Sequence, residues 1–208
     1  MAQAFNGKWI SAPMSVEERF APVFKKEFSV CNKIKNAKIS VCGLGLFELK
    51  INGSLPDDTV LNPVHSQYGQ SVFYRVFDVT DFLSQGKNTV TLEVGHGFFN
   101  ETSFVWNWDK ASWRSSPKLI ADIEIEYENG KSELISTDES WLVCTDGIIT
   151  ANSIYYGETH DMRRKGCNWQ GAIPTDAPKG TLKKQTEPFI RRIQSFEPKK
   201  ITKNGSSF

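Results

Sequence analysis

The sequence has no long apolar segment. No run approaches the roughly 20 apolar residues that a transmembrane helix requires, and the first residues lack the basic and apolar regions of a secretory signal peptide. A membrane partner is therefore not expected. The sequence predicts a soluble protein that stays in the cytoplasm.

An excess of charge of one sign is also missing. Lysine and arginine total 25 against 24 aspartate and glutamate residues, which gives a formal net charge of +1 over 208 residues. Binding to a polyanion depends on clustered positive charge, so this balance argues against nucleic acid as a partner.

Motifs for several catalytic chemistries are absent. There is no phosphate-binding loop, nucleophile elbow, His-Glu-x-x-His or dinucleotide fingerprint, so nucleotide chemistry and serine or zinc hydrolysis have no support. The cysteines show no Cys-x-x-Cys spacing, which predicts free thiols in a reducing compartment; they are Cys31, Cys42, Cys144 and Cys167.

Helical periodicity is missing as well. No segment carries the i, i+3, i+4, i+7 apolar stripe of a long amphipathic helix. Apolar and polar residues alternate instead in short runs, which cover residues 23–30, 37–42, 44–51, 73–79, 89–94, 119–127, 132–136, 141–144 and 147–150. About nine or ten short strands separated by turn residues predict an all-β fold, an antiparallel β-sandwich.

Local patterns add detail to this sandwich. Asn52-Gly53 ends one alternating run and predicts a tight turn, and Asn129-Gly130 predicts a type I′ hairpin turn. Outward lysines in residues 23–30 predict an edge strand. Residues 141–144 and 147–150 predict either a strand pair or a strand and its return.

Changes in composition divide the chain into three parts. Residues 1–22 predict an extended N-terminal arm anchored by Trp9, and residues 23–165 predict the sandwich. From Gly166 onward, prolines and glycines predict a linker. Residues 166–208 would thus contain this linker and the first strands of a second, truncated β domain.

The loop after Asn52 offers carboxylate and amide oxygens. Asp57 and Asp58 are adjacent in it, and Asn62 follows. Such oxygens suit a hard cation such as calcium, and a bound cation would orient sugar hydroxyls. Acidic pairs are also ordinary turn residues, so a metal site and a plain turn both remain open.

Aromatic residues are concentrated in the loop between Gly95 and Trp113, which is about twenty residues long. Loops of this length are more often functional than neutral. Stacking on sugar rings and structural anchoring are the two alternatives for its aromatic side chains, which include Phe98, Phe99, Trp106 and Trp108.

A further polar cluster contains Glu158, His160, Asp161 and Arg163. Glycoside hydrolysis needs two carboxyl groups about 5 to 10 Å apart, but nothing nearby predicts the apolar cleft that would raise the pKa of one of them. The sequence therefore predicts no catalytic residue here, and an ion pair of Arg163 that fixes a loop.

Many short motifs also occur in an order typical of one enzyme family. They are Gly45-Leu46-Phe47-Glu48-Leu49, Ile51-Asn52-Gly53, Asp57-Asp58, Asn62-Pro63, Tyr74, Phe77-Asp78-Val79-Thr80, Gly95-His96-Gly97-Phe98-Phe99, Asp138-Glu139-Ser140-Trp141 and Tyr156-Gly157-Glu158-Thr159-His160-Asp161-Met162-Arg163. From about Trp9 to its end, the sequence resembles the N-terminal, non-catalytic domain of bacterial α-L-rhamnosidases.

This resemblance implies a jelly-roll sandwich of the galactose-binding-like type that is not itself an enzyme. The catalytic carboxylates of such enzymes lie in a downstream (α/α)6 barrel, which removes terminal L-rhamnose with inversion. The implied partners are a rhamnose-containing glycan or glycoside and that barrel. The resemblance also implies a position near the border with the following domain for Glu158, Asp161 and Arg163.

In relatives whose domain of this kind binds rhamnose, the sugar sits with calcium on the equivalent loop. The resemblance therefore implies that Asp57 and Asp58 are calcium ligands, supported by Asn52 and Asn62. Relatives often have Gly-Trp after the proline, whereas this sequence has Val64-His65.

Two alternatives remain open. The missing tryptophan after Pro63 favours a purely structural module without a ligand. The Asn52-Gly53 turn and the segment Phe77-Asp78-Val79-Thr80 also resemble the sugar-binding-like domain of β-galactosidases or β-glucuronidases, but the segment from Gly157 to Arg163 argues against that family.

Overall fold

The computed structural model describes residues 5–102 and 105–202, and its regular structure is almost entirely β. A short 3-10 helix occupies Thr80–Phe82, and Val105–Lys110 contains 3-10 turns interrupted by a kink at Trp106 and Asn107, whose φ angles are 60° and 54°. None of the helices in the described ranges has the length and apolar character needed to cross a membrane. The strands are β1 Ile10–Ser11, β2 Val23–Val30, β3 Ile34–Leu44, β4 Leu46–Ile51, β5 Ser71–Asp78, β6 Gly86–Gly95, β7 Lys118–Tyr127, β8 Ser132–Ser136, β9 Leu142–Cys144, β10 Ile149–Ser153, β11 Gly157–His160, β12 Gln170–Gly171, β13 Ile173–Pro174 and β14 Thr181–Lys184.

The strands form two sheets and one separate hairpin. The first sheet has the order β13-β1-β7-β3-β5-β14, with β8 paired to β7, and the second has the order β12-β9-β2-β6-β4. Strands β10 and β11 form the hairpin. Among the ladders between described strands, β14 with β5 is the parallel one. The predicted β-sandwich is confirmed.

The core lies between the two sheets. Along β6 the buried side chains Val90, Leu92 and Val94 alternate with partly exposed ones, because successive side chains of a strand point to opposite faces. Ile39 of β3 and Ile123 of β7 complete this core from the first sheet. Alternation in the sequence thus identifies the buried face of the second sheet, whereas β3 and β7 of the first sheet contain continuous buried runs, because a second apolar cluster that includes Leu44 and Ile120 also packs on this sheet.

Gly45 marks the point where the chain passes from the first sheet to the second. It is the single residue between β3 and β4, which lie in different sheets. A Cβ atom at this position would lie 2.2 Å from the carbonyl oxygens of both Gly95 and His96. Glycine is required here because the two backbones approach too closely for any side chain.

Strand β2 does not lie at a sheet edge. It pairs with β6 along its whole length, and Val23, Phe24 and Lys25 also pair with β9. The edge prediction is wrong for this part of the strand, because alternating lysines report which face meets water and not how many neighbours a strand has. Residues 142–144 and 149–153 are not partners either, since β9 pairs with β2 and β12, and β10 pairs with β11.

The two Asn-Gly pairs form different turns. Asn52 and Gly53 have φ angles of 50° and 83°, and Ile51 and Ser54 exchange two backbone hydrogen bonds of 2.9 Å, as in a type I′ turn. In the β7–β8 hairpin only Gly130 has a positive φ, of 80°, and its N–H donates to Tyr127 O at 3.0 Å. The type I′ prediction is therefore wrong there, and Gly130 instead occupies the left-handed position of a longer loop.

Both ends of the described chain join the first sheet. Strand β1, inside the predicted arm, pairs with β7 and with β13, and β12 and β14 pair with β9 and β5. The segment after Gly166 thus contributes three short strands to the sandwich sheets. The division into an arm at 1–22, a sandwich at 23–165 and a following β domain remains a prediction.

Cys144 and Cys167 form a disulfide, with their Cα atoms 5.5 Å apart. The prediction of four free thiols is wrong for this pair, because the sequence separation of 23 carries no recognisable motif. Cys31 is free and exposed, and Cys42 is free and buried. Burial raises the pKa of the Cys42 thiol, which keeps this thiol protonated and unreactive.

Candidate functional site

A cleft of about 350 Å³ lies at one end of the second sheet, beside the start of β4 and the end of β6. Residues 59–61 form one part of its wall, and the β10–β11 hairpin forms another. Its volume lies within the range of about 300–1,000 Å³ that is typical of small-molecule sites. The side chains that matter below are Leu46, Glu48, Leu61, Glu93, Ile154 and Glu158.

Three carboxylates share this cleft. Glu48 and Glu93 are directly opposite each other in the β4–β6 ladder, and Glu158 comes from β11. Lys50 pairs with Glu48 at 2.7 Å, and His160 Nε2 lies 2.8 Å from Glu158 Oε2. None of the residues in the described ranges forms a hydrogen bond or an ion pair with the Glu93 carboxylate.

Glu93 differs from the other two carboxylates because its carboxyl group has a raised pKa. Burial raises the pKa of its carboxyl group, and the negative charges of Glu48 and Glu158 raise it further, whereas Lys50 and His160 act in the opposite direction. A carboxylate with no partner in the protein accepts hydrogen bonds from a hydroxyl-rich ligand. Glu93 thus supplies the cleft with a free acceptor.

The cleft also has an apolar surface. Leu61, which is 47% exposed, and the partly buried Leu46 and Ile154 contribute to its lining. A Cβ atom at Gly97 would lie 2.8 Å from Leu46 Cγ, so the missing side chain at this position leaves room for Leu46. Aliphatic carbons and carboxylate oxygens together suit a ligand with one apolar and one polar face.

Asp57, predicted as a calcium or sugar ligand, is bound to Arg75. Its Oδ2 lies 2.9 Å from Arg75 Nη2, and its Oδ1 accepts hydrogen bonds from the N–H and hydroxyl of Thr59 at 3.0 and 2.6 Å. Burial opposes ionisation, but the hydrogen bonds from Thr59 and Arg75 outweigh it and lower the pKa of Asp57. Asn62 belongs to the same network, since its Oδ1 accepts from Arg75 Nη1 at 2.6 Å.

The other two predicted loop residues have different partners. Asp58 forms an ion pair with Arg191 near the C-terminal end of the chain. The Asn52 side chain donates to Asn88 Oδ1 at 2.9 Å and accepts from Thr89 N at 2.8 Å. The structure thus brings Asp57 and Asn62 together and leaves Asn52 outside their network. A calcium ion bound by Asp57 and Asp58 remains a prediction.

Phe98 and Trp108 are packed side by side in an aromatic cluster. Their ring centroids are 5.4 Å apart, and His65 lies 4.8 Å from Phe98 and 5.9 Å from Trp108. Trp108 Nε1 also donates to the Tyr155 hydroxyl at 2.9 Å. These contacts fit the structural anchoring alternative for both side chains.

The remaining two predicted aromatic residues differ sharply in exposure. Phe99 is buried and lies 5.3 Å from the Tyr68 ring in an edge-to-face contact. Trp106 is 80% exposed. Of the four aromatic residues predicted to bind sugar, Trp106 therefore presents the most ring surface to solvent, and stacking of a sugar there remains a prediction.

The cluster after β11 contains the predicted ion pair. Arg163 Nε and Nη2 donate to the two carboxylate oxygens of Asp161 at 2.8 and 3.0 Å, a bidentate geometry. The backbone N–H of Asp161 donates to Ile148 O at 2.9 Å. The backbone hydrogen bond to Ile148 holds the chain where it leaves the hairpin, and the ion pair lies within the turn that follows, with the Arg163 side chain 90% exposed. A position at a domain border remains a prediction.

Local sequence patterns do not indicate Glu93, Leu61 or Ile154 as residues of the cleft. Glu48 and Glu93 were recognisable only as outward polar residues of alternating strands. Their approach follows from the β4–β6 register, which no local pattern specifies. Glu158 belongs to the polar cluster seen in the sequence, but that cluster gives no indication that Glu158 lines the cleft.

Comparison with known proteins identifies the family. Residues 32–194 match the family described as the α-L-rhamnosidase N-terminal domain. The chain belongs to this family. The resemblance seen in the sequence motifs is thereby confirmed.

Individual relatives of this rhamnosidase N-terminal domain are themselves described as α-L-rhamnosidases. An α-L-rhamnosidase of Formosa agariphila is 29% identical over 207 residues, which cover 93% of this chain and 22% of that relative. The solved α-L-rhamnosidase of Dictyoglomus thermophilum has a TM-score of 0.80 and 34% identity, over 91% of this chain and 23% of that one. The Streptomyces avermitilis α-L-rhamnosidase complexed with L-rhamnose has a TM-score of 0.71 and 25% identity, over 79% of this chain and 17% of that one. The chain thus spans about a fifth of the length of these relatives.

Proposed function

We propose that this rhamnosidase N-terminal domain is a non-catalytic accessory module that binds a rhamnose-containing glycan or glycoside. The ligand would occupy the cleft between β4, β6 and the β10–β11 hairpin. The parent enzyme would remove terminal α-L-rhamnose with inversion, using a catalytic barrel elsewhere in the protein.

The mixed lining of the cleft is the observation that carries this proposal. L-Rhamnose is a 6-deoxy sugar, so it presents hydroxyl groups and a methyl group to its binding site. The Glu93 carboxylate would accept hydrogen bonds from the hydroxyls, and Leu61 and Ile154 would pack against the methyl group. The Streptomyces avermitilis relative complexed with L-rhamnose supports this class of ligand.

Binding fits the carboxylate geometry better than hydrolysis does. Glu48 and Glu93 face each other on neighbouring antiparallel strands, which places their Cβ atoms about 5 Å apart on one wall. A glycosidase instead needs its two carboxyl groups on opposite sides of the bond that breaks. Burial raises the pKa of Glu93, and the negative charges of Glu48 on the neighbouring strand and of Glu158 on β11 raise it further.

Isothermal titration calorimetry of the domain with L-rhamnose tests the proposal. We expect saturable binding by the unaltered domain and at least about tenfold weaker binding by Glu93→Gln, because the amide replaces a charged acceptor. Glu128→Gln, in the exposed turn after β7, is the matched control and should bind normally. The absence of any heat of binding, without a shift in melting temperature at saturating sugar, would eliminate the sugar-binding function.

The same titration decides the calcium question. Sugar binding is measured once with added calcium and once with EDTA, and Asp57→Asn is compared with the unaltered domain. A calcium-bridged sugar would bind only in the first condition. Equal affinities in both conditions would remove calcium from the proposed function.

A second candidate function is a brace for the catalytic part of the parent enzyme. It is favoured by three large apolar side chains beyond the last strand, since Ile193, Phe196 and Ile201 are exposed by 98%, 80% and 70%. Exposed apolar side chains of this kind typically pack against a neighbouring surface. In the full-length protein, Phe196→Ser should lower the melting temperature of the catalytic part if the segment is a brace, and leave it unchanged otherwise.

A further inference from the structure

The C-terminal segment of residues 185–191 is attached to the loop that forms one wall of the cleft. Upstream of it, β14 pairs in parallel with β5, and the Gln185 N–H donates to Tyr74 O at 2.9 Å. The Gln185 side chain is buried, and its Oε1 accepts from Val64 N at 3.3 Å. The segment therefore leaves the sheet in a fixed direction, towards residues 57–61.

Arg75 is the centre of this attachment. It lies on β5 with only 4% of its surface exposed. The edge of its guanidinium group donates hydrogen bonds to Asp57, Thr59 and Asn62. Because three acceptors of one loop converge on a single buried cation, the conformation of residues 57–62 depends on Arg75.

Two aromatic rings pack against the same guanidinium group. Arg75 Cζ lies 4.3 Å from the centroid of Phe77, which belongs to the core, and 3.9 Å from the centroid of Phe189. Such cation–π contacts are stronger when the cation is removed from water. Phe189 thus binds the C-terminal segment to the residue that also organises the loop.

The backbones of the loop and the segment are also paired. Val60 N donates to Ile190 O at 2.9 Å, Thr59 and Arg191 form an antiparallel bridge, and Arg191 forms the ion pair with Asp58. The same stretch contributes Thr59, Val60 and Leu61 to the lining of the cleft. The same three-residue stretch therefore contacts the C-terminal segment and contributes to the cleft.

We infer that residues 57–61 are a clamp that couples the position of the C-terminal segment to the shape of the cleft. Docking of Phe189 on Arg75 holds the clamp closed and keeps Leu61 in the cleft wall. Release of the segment loosens that wall. Asp57 and Asp58, which the sequence predicts as ligand residues, act in this arrangement as positioning residues for the clamp.

Amide hydrogen exchange of the domain without sugar tests the clamp. Phe189→Ala removes the ring from Arg75, and we expect the Val60 amide to exchange about tenfold faster, because its acceptor Ile190 O departs with the segment. Ile193→Ala is the matched control, since this side chain is 98% exposed and should leave the exchange unchanged. Unaltered exchange at Ile123 in the core would show that the variant remains folded.

A Val60 amide that exchanges equally fast in Phe189→Ala and in the unaltered domain would overturn the clamp. Asp58→Asn gives a second measurement, because loss of an exposed ion pair should speed exchange at Val60 by only about twofold to threefold. If Asp58→Asn had a larger effect than Phe189→Ala, the central role of Arg75 would be refuted.

The coupling to the cleft rests on the proposed function and is tested separately. Phe189→Ala should weaken the binding of L-rhamnose at least about threefold, while Ile193→Ala should not. Equal affinities of Phe189→Ala and the unaltered domain would refute the coupling. If the unaltered domain does not bind the sugar, the proposed ligand is wrong. The exchange measurement still decides in that case whether the clamp exists.

Discussion

Removal of the Cys144–Cys167 disulfide provides a quantitative test of the fold. The bond joins the end of β9 to the chain beyond β11, so the closed loop contains the whole β10–β11 hairpin. That hairpin forms one wall of the cleft. Replacing both cysteines by serine should therefore destabilise the domain and loosen the cleft on that side.

The size of the effect follows from the length of the loop. For a sequence separation of 23, loop closure removes about 11 cal/mol/K of entropy from the unfolded chain, or about 3.4 kcal/mol at 25 °C. Strain or residual structure in the unfolded state changes such values, so we expect a loss of about 2–4 kcal/mol. In a domain of this size, that corresponds to a drop of roughly 5–15 °C in melting temperature.

Urea denaturation of the double variant Cys144→Ser/Cys167→Ser gives this free energy directly. Cys31→Ser is the matched control, because Cys31 is exposed and unpaired, and should change the free energy of unfolding by less than about 0.5 kcal/mol. Labelling of the unfolded, unreduced protein with a thiol reagent should modify two cysteines. Labelling of all four, or a double variant as stable as the unaltered domain, would refute the reasoning.

Three further predictions concern His96, Glu93 and Gly45. Burial, with a smaller contribution from Arg19, lowers the pKa of His96 to about 4, so the unfolded chain takes up the proton first. Stability should fall by about 1.5 kcal/mol between pH 6.5 and pH 5 as a result. The pKa of Glu93 is raised, which destabilises the fold as pH rises through that pKa, so Glu93→Gln should raise stability at pH 7 by less than about 1 kcal/mol and have no such effect at pH 4. Gly45→Ala places a Cβ atom 2.2 Å from two carbonyl oxygens and should cost roughly 3 kcal/mol or more.

Each of these has a specific measurement. An NMR titration of His96 should show a neutral imidazole down to about pH 4, and a midpoint near its ordinary value would contradict the prediction. Urea midpoints at the two pH values decide the Glu93 prediction, with Glu128→Gln as the control. Gly69→Ala is the control for Gly45, because a Cβ atom at Gly69 meets nothing within 4 Å; equal stabilities of the two alanine variants would disprove the close approach.

Local patterns predicted the strands correctly where one face of a sheet is buried. Phe47, Leu49 and Ile51 alternate with outward side chains in β4, as the sequence indicates. The turn at Asn52 and the Arg163–Asp161 ion pair also follow from residues close together in sequence. In these cases the physical cause, a strand period of two or a short reach between side chains, acts over a few residues.

Patterns failed where the outcome depends on distant segments. Asp58 and Arg191 are 133 positions apart, and no property of either segment indicates that they meet. The ion pairs of Asp57 with Arg75 and of Asp58 with Arg191 were not predictable from the Asp57-Asp58 pair itself, because both arginines are distant in sequence. The edge position of β2 was misjudged for the same reason, since a neighbouring strand is chosen by the whole sheet.

The sequence alone determined that this chain forms an all-β sandwich and that it belongs with the rhamnosidase N-terminal domains, because alternation and motif order are local properties. Only the tertiary structure decided that Glu93 lies beside Glu48 on neighbouring strands in the lining of the cleft, that Cys144 meets Cys167, and that Phe189 packs on Arg75. These contacts depend on strand register and on the order of strands in each sheet. Strand register and strand order are set by the packing of the complete core, and no single segment of the sequence determines that packing.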